Sequence, residues 1–321
     1  MDSKKQRLLL LFLLLIIAIF SVWGVFLLQG NDKESGDEVK SDVAKKINYP
    51  RRLKGDPISP GVDAAAAFSI YYGENNEKVL YEENADKILP IASISKIMTA
   101  LVVLENYKLE EEMMVAEYDV TSRTEFRDFR AWPQTTVGDI IYPMLIESNN
   151  SGAFALALIS DRFLDTENEP VEGFVSKMNE KANSLGLEKT TFINPSGLDG
   201  KEKYNNSSAR EIAIFAKHII ENKPKIFEIL EMPSYRLYSP DRMAYYDAIN
   251  TNAFLRDDEE EWQEHIIGGK TGWTRAAFGC LLIVLEAPDK KGYIVNVILG
   301  AEDRFKEMRK LINFVYDSYV F

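Results

Sequence analysis

Read by the spacing of its apolar residues, the chain divides into four stretches. Leu8 to Leu28 holds no charged residue and, at 1.5 Å per residue, would span roughly 31 Å as a helix, the thickness of a bilayer's hydrocarbon core. Gln29 to Pro60 mixes charges of both signs with glycine and proline and has no apolar period, so it reads as a flexible linker. From residue 61 onward the pattern is that of a globular domain. Ala64 to Tyr72 suits a buried strand, Gly73 to Glu77 a turn, and Val79-Leu80-Tyr81 a returning strand. Ile94, Ile97, Met98, Leu101 and Leu104 then recur at helical spacing behind Ser93.

Thr136-Val137-Gly138-Asp139 resembles a helix start, with Ile140, Ile141, Met144 and Leu145 as its apolar stripe. Pro143 is expected to kink or shorten that helix, because proline lacks the backbone donor and crowds the preceding turn. Glu147 to Gly152 reads as a polar loop before the apolar Ala153 to Ile159. Helices are predicted at Val171 to Ser184 and at Ala209 to Glu221, the second opened by the capping box Ser208-x-x-Glu211. Beyond Lys225 the pattern turns to strands. Ile266 to Thr274, Cys280 to Glu286 and Tyr293 to Leu299 form a meander, and Asp303 to Phe314 a closing helix. Strands at both ends with helices between them predict an α/β sandwich whose sheet joins distant chain segments.

Composition narrows the function. The 321 residues are 46% hydrophobic and 27% charged, enough for a full core. A net charge of -12 without a basic face disfavours nucleic acid as a partner. The single Cys280 excludes an intrachain disulfide or a cysteine-rich metal site, and His218 and His265 fit no ligand or triad pattern. No metal or organic cofactor is implied. Lys4, Lys5 and Arg7 ahead of the apolar run place residues 1–7 in the cytoplasm and the domain outside, with 8–28 as a single-pass anchor at the cell membrane. A cleaved signal peptide is the competing reading, against which the run is long and ends without a good cleavage site.

The chemistry centres on Ser93-x-x-Lys96. An i,i+3 pair at a helix start brings hydroxyl and amine into contact, so an uncharged lysine can take the serine proton. Alone, this pattern describes a helix cap followed by a solvated lysine just as well. Two further motifs follow in order, Ser148-x-Asn150 and Lys270-Thr271-Gly272.

With Pro90 to Ala100, Asn194-Pro195-Ser196-Gly197-Leu198, Asn250-Thr251-Asn252 and Gly269 to Thr274, these motifs resemble the low-molecular-weight penicillin-binding proteins, the D-alanyl-D-alanine carboxypeptidases. The resemblance covers residues 61–321. It implies a β-lactamase and penicillin-binding transpeptidase-like sandwich, an antiparallel sheet flanked by helices with a helical subdomain. It also implies peptidoglycan stem peptides as substrate and β-lactam antibiotics as covalent inhibitors. By this resemblance Ser93 is the nucleophile, Lys96 its base and Ser148 a proton relay, while Asn150 holds the substrate amide. Lys270 lies near Lys96 and keeps it neutral. Thr271 and Thr274 bind the terminal carboxylate with Arg304 as a candidate cation, and the N–H groups of Ser93 and Trp273, beside Gly272, form the oxyanion hole. Ser148-Asn149-Asn150-Ser151 departs from the commoner Ser-Gly-Asn-Asp, and Phe278 stands where glycine is usual. A class A β-lactamase would need a deacylating glutamate, for which Glu167-Asn168-Glu169-Pro170 is a poor match. An endopeptidase on the same fold, or an inactive wall-binding module, are the other readings. Many relatives continue into a β-rich domain and a C-terminal anchor; here the N-terminal run is expected to anchor.

Overall fold

The computed structural model describes residues 50–53, 55, 59–113, 135–161, 170–238, 243–256 and 260–321. The expected anchor, Leu8–Leu28, and most of the expected linker lie outside these residues. Among the described residues no helix is long and apolar enough to cross a membrane.

Strands β1 (Arg51–Arg52), β2 (Ala66–Gly73), β3 (Glu77–Glu83) and β4 (Leu89–Pro90) lead to a 3-10 turn, Ala92–Ser95, and helix α1 (Lys96–Asn106). Helices α2 (Val137–Ile146), α3 (Asn150–Asp161) and α4 (Pro170–Ser184) follow, then β5 (Asn206–Ser207), α5 (Ala209–Asn222) and α6 (Lys225–Glu231). The hairpin β6 (Ser234–Tyr238) and β7 (Ala244–Ile249) precedes β8 (Ile266–Thr274), β9 (Phe278–Glu286), β10 (Gly292–Ala301), α7 (Arg304–Ser318) and β11 (Tyr319–Val320).

The main sheet is antiparallel with strand order β3-β2-β10-β9-β8, so β2 from the start of the domain pairs with β10 from its end. Phe68, Ile70, Leu282 and Val297 bury toward the helices α1, α2, α5 and α6, while Leu281, Ile283 and Ile298 pack against Met308, Leu311 and Ile312 of α7. Covering both faces explains why β9 and β10 read as nearly unbroken apolar runs rather than alternating ones. β3 alternates and lies at one edge; β8 forms the other.

Several expectations are corrected. Pro143 does not cut α2 short at its own position, since the helix runs on to Ile146: the Thr136–Asp139 capping box holds its start, and buried Ile140, Ile141, Met144 and Leu145 outweigh one missing donor. The polar loop shrinks to a short turn, because Asn150 already begins α3. Ser208 caps α5 through Glu211 N–H, but the Glu211 carboxylate turns instead to Lys189 N–H and Thr190 Oγ1. The segment after Lys225 is first a helix, α6, before the strands begin. The linker gives way to the domain before residue 60: Arg51 and Arg52 pair with Val320 and Tyr319, and two exposed arginines leave no apolar signature.

Candidate active site

The nucleophile turn is built from strained backbone at a crowded crossing. Ala92 has φ +46, a left-handed value that L residues rarely adopt, and the Ser95 hydroxyl holds its carbonyl at 2.7 Å. Gly197 (φ +86) and Gly272 press against this turn. A Cβ on Gly197 would lie 2.0 Å from Ala92 O, and one on Gly272 3.2 Å from Ser93 N. Ser93 thus sits in the 3-10 turn, and Lys96 is the first residue of α1, keeping the two side chains on one face.

Lys96 is fully buried, and its Nζ lies 2.9 Å from Ser93 Oγ, 2.8 Å from Asn150 Oδ1 and 2.6 Å from Ser196 O. No carboxylate among the described residues forms an ion pair with it. Burial first, and the positive charge of Lys270 second, hold its pKa well below the ordinary lysine range. Lys270 is also buried, donating to Thr271 O at 3.1 Å, and burial followed by the nearby Arg304 lowers it to about 7. Arg304 is itself lowered by burial, and its Nε has no hydrogen-bond partner among the described residues.

Ser148 stands in the turn between α2 and α3 at φ +67, and its hydroxyl makes no hydrogen bond to another described residue. Thr271 and Thr274 are nearly buried on β8, whereas the Trp273 side chain is 62% exposed. The structure therefore brings Ser93, Lys96, Asn150 and Lys270 together and lays Thr271 to Thr274 along the open edge of the sheet beside them.

Two contributors were visible in the sequence only as landmarks without a role. The Ser196 carbonyl is aimed at Lys96 because Asn194 Oδ1 accepts from Ser196 N–H and Gly197 N–H, while Asn205 clamps Ile193 N–H and Asn194 O. Thr251 Oγ1 lies 2.5 Å from Thr271 Oγ1, and Thr251 N–H donates to Ile146 O at the end of α2. Cys280 is a buried hydrophobe pushed up to about 11 by burial. Among the described residues no group of three His, Cys, Asp or Glu is placed to hold a metal ion.

A serine and a buried lysine at the end of an antiparallel sheet edge define the class of serine acyl-transfer enzymes. The profile of the peptidase S11 family, D-alanyl-D-alanine carboxypeptidase, matches residues 56–303, and the chain belongs to that family. It is 29% identical over 264 residues to the D-alanyl-D-alanine carboxypeptidase DacF of Bacillus subtilis, covering 79% of this chain and 63% of that protein. With the D-alanyl-D-alanine endopeptidase of Escherichia coli it shares 32% over 239 residues, 69% of this chain and 67% of the relative. The chain thus spans a little under two thirds of DacF's length. Penicillin-binding protein D2 of Listeria monocytogenes, solved in a cefotaxime-bound form, superposes with a TM-score of 0.59 at 28% identity, over 79% of this chain and 97% of that one. The expected fold is thereby established.

Proposed function

We propose that the chain is a serine D,D-peptidase that removes the terminal D-alanine from peptidoglycan stem peptides through an acyl-enzyme on Ser93. One observation carries this reading. Of the three neighbours of Lys96 Nζ, Asn150 Oδ1 and Ser196 O can only accept, so they take both hydrogens of a neutral amine and leave its lone pair for the Ser93 hydroxyl. Lys96 then accepts the proton as Ser93 Oγ bonds to the penultimate carbonyl carbon. The C–N bond to the departing D-alanine breaks, and Ser148 relays a proton to its amine. Water afterwards hydrolyses the ester. Asn150, whose Oδ1 is engaged by Lys96, offers Nδ2 to the substrate amide. The N–H groups of Ser93 and Trp273 receive the oxyanion across the gap that Gly272 leaves open. Lys270, Thr271, Thr274 and Arg304 supply charge and hydroxyls for the terminal carboxylate.

Intact-mass spectrometry after incubation with benzylpenicillin tests this reading: one adduct on the wild type and none on Ser93→Ala are expected. A folded wild type without adduct would move the reading to a wall-binding module. The cefotaxime-bound and ampicillin-bound forms of the Listeria protein support β-lactams as ligands of this cleft, which the acyl-enzyme chemistry would hold on Ser93 as covalent inhibitors. The endopeptidase-named relatives favour a second substrate, the peptide cross-link, on the same machinery. Leu8–Leu28 is assigned as a single-pass anchor, with residues 1–7 cytoplasmic and the catalytic domain outside, on its charge-free length and the preceding lysines and arginine.

Carboxylate capture carries a proton signature. Above about pH 7 free Lys270 is mostly neutral, and a bound carboxylate favours its charged form, so binding takes up a proton there and not at lower pH. Titration calorimetry of Ser93→Ala with a D-alanyl-D-alanine peptide, in two buffers of different ionisation enthalpy, will show uptake near pH 8 and none near pH 5.5. Equal heats in both buffers near pH 8 would remove Lys270 from the carboxylate site.

A further inference from the structure

We propose that Phe278 is a specificity-determining contact for the side chain of the departing residue, favouring apolar chains longer than a methyl group; this rests on the reading of the cleft given above. Phe278 is a bulky residue at φ +54 and is 56% exposed, so both its backbone and its ring occupy unfavourable states. The strain is held in a braced turn: Ala277 N–H donates to Thr274 Oγ1 and Ala276 N–H to Asp199 Oδ2.

Register places the ring's origin. Gly272 pairs with Cys280, Trp273 with Gly279 and Thr274 with Phe278, without interruption. Phe278, at φ +54, is not extended and is placed by its pairing with Thr274; the two-residue period puts Lys270, Gly272 and Thr274 on one face of β8, and Cys280, the partner of Gly272, on the same face of β9. That is the nucleophile's face, since Cys280 Sγ approaches Pro90 O and a Cβ on Gly272 would touch Ser93 N. Cys280 is completely buried there. Two residues, about 6.6 Å, further along the strand, Phe278 is uncovered. Its cross-strand neighbour is Thr274, the residue proposed to hold the departing carboxylate. The side chain attached beside that carboxylate therefore passes the ring. An uncharged aromatic surface rewards methylene groups, as in the long chain of a cross-linked diamino acid, and gains little from the methyl of D-alanine.

The test compares kcat/KM for paired synthetic peptides ending in D-Ala-D-Ala and D-Ala-D-norleucine, using wild type, Phe278→Leu and Phe278→Gly. Wild type is expected to favour D-norleucine. The preference should fall about tenfold in Phe278→Gly and by an intermediate factor in Phe278→Leu. A ratio unmoved in both variants, or one that shifts toward D-norleucine, overturns the proposal. Thermal melts check that the variants are folded. Benzylpenicillin acylation of the wild type separately tests the parent reading: if it fails, the cleft assignment falls and this contact with it; if it succeeds while the ratio stays fixed, only the contact is wrong.

Discussion

Lys96→Met leaves a folded protein that benzylpenicillin acylates about a thousandfold more slowly than wild type, or slower. Methionine preserves the length and most of the volume of a side chain that is fully buried, so the core keeps its packing. What disappears is the side-chain nitrogen that hydrogen-bonds Ser93 Oγ at 2.9 Å, with no second such nitrogen among the described residues. A positioned general base contributes about 10²–10⁴-fold, and residues that act as one unit lose nearly everything when either is removed. The loss should match that of Ser93→Ala in stopped-flow or quenched mass measurements. An acylation rate within tenfold of wild type would mean that another group takes the proton. Lys96→Arg discriminates further, because guanidinium keeps the positive charge but cannot deprotonate, and it should be equally inactive.

The second large effect is mechanical. Gly197→Ala should destabilise the domain by about 3 kcal/mol or more and abolish acylation, because the new methyl group meets Ala92 O at 2.0 Å and Ala92 C at 2.3 Å. Both obstacles are backbone, so neither can rotate away. Relief must come by moving the nucleophile turn, the Ser196 carbonyl, or both. Gly186→Ala is the matched control: its φ of +72 is similarly left-handed, yet nothing lies within 4 Å of the added carbon. There only the left-handed penalty applies, about 1 kcal/mol, with full activity. Chemical denaturation of the two variants separates conformational strain from collision. Equal losses would show that the Ala92 contact yields more easily than its geometry implies.

The outline of this domain was legible because its sheet is covered on both faces and its helices are strongly apolar on one side. The hairpin β2–β3, the meander β8–β10 and the closing helix α7 all fall close to where periodicity puts them. Helix α6 was missed, because Ile226, Phe227, Ile229 and Leu230 bury within too short a run to display a helical period. The strand β1 was missed for a different reason, since two exposed arginines carry no apolar signal in the sequence. In the cleft, side-chain chemistry was readable and backbone chemistry was not. Ser93, Lys96 and Lys270 declare themselves by type and spacing. The Ser196 carbonyl that fixes the orientation of Lys96 does not, because every residue has a carbonyl and only the Asn194 and Asn205 clamps make this one special. Phe278 stood out in the sequence as a missing glycine, and its positive φ supplies the physical reason why glycine would be easier there.

The pairing of β2 with β10 also governs when the cleft comes into being. Ser69 hydrogen-bonds Asn296 in the middle of the sheet, so its central seam cannot close until nearly the whole chain is available. Contacts this distant in sequence make for slow folding, because the loop must be closed before the pairing repays it. A nascent chain that ends before β8 already carries Ser93 and Lys96, but it lacks Lys270 and the strand against which the nucleophile turn rests. The reactive pair therefore gains its supporting strand only with roughly the last sixth of the chain, from β8 onward, which ties assembly of the nucleophile's surroundings to completion of the fold.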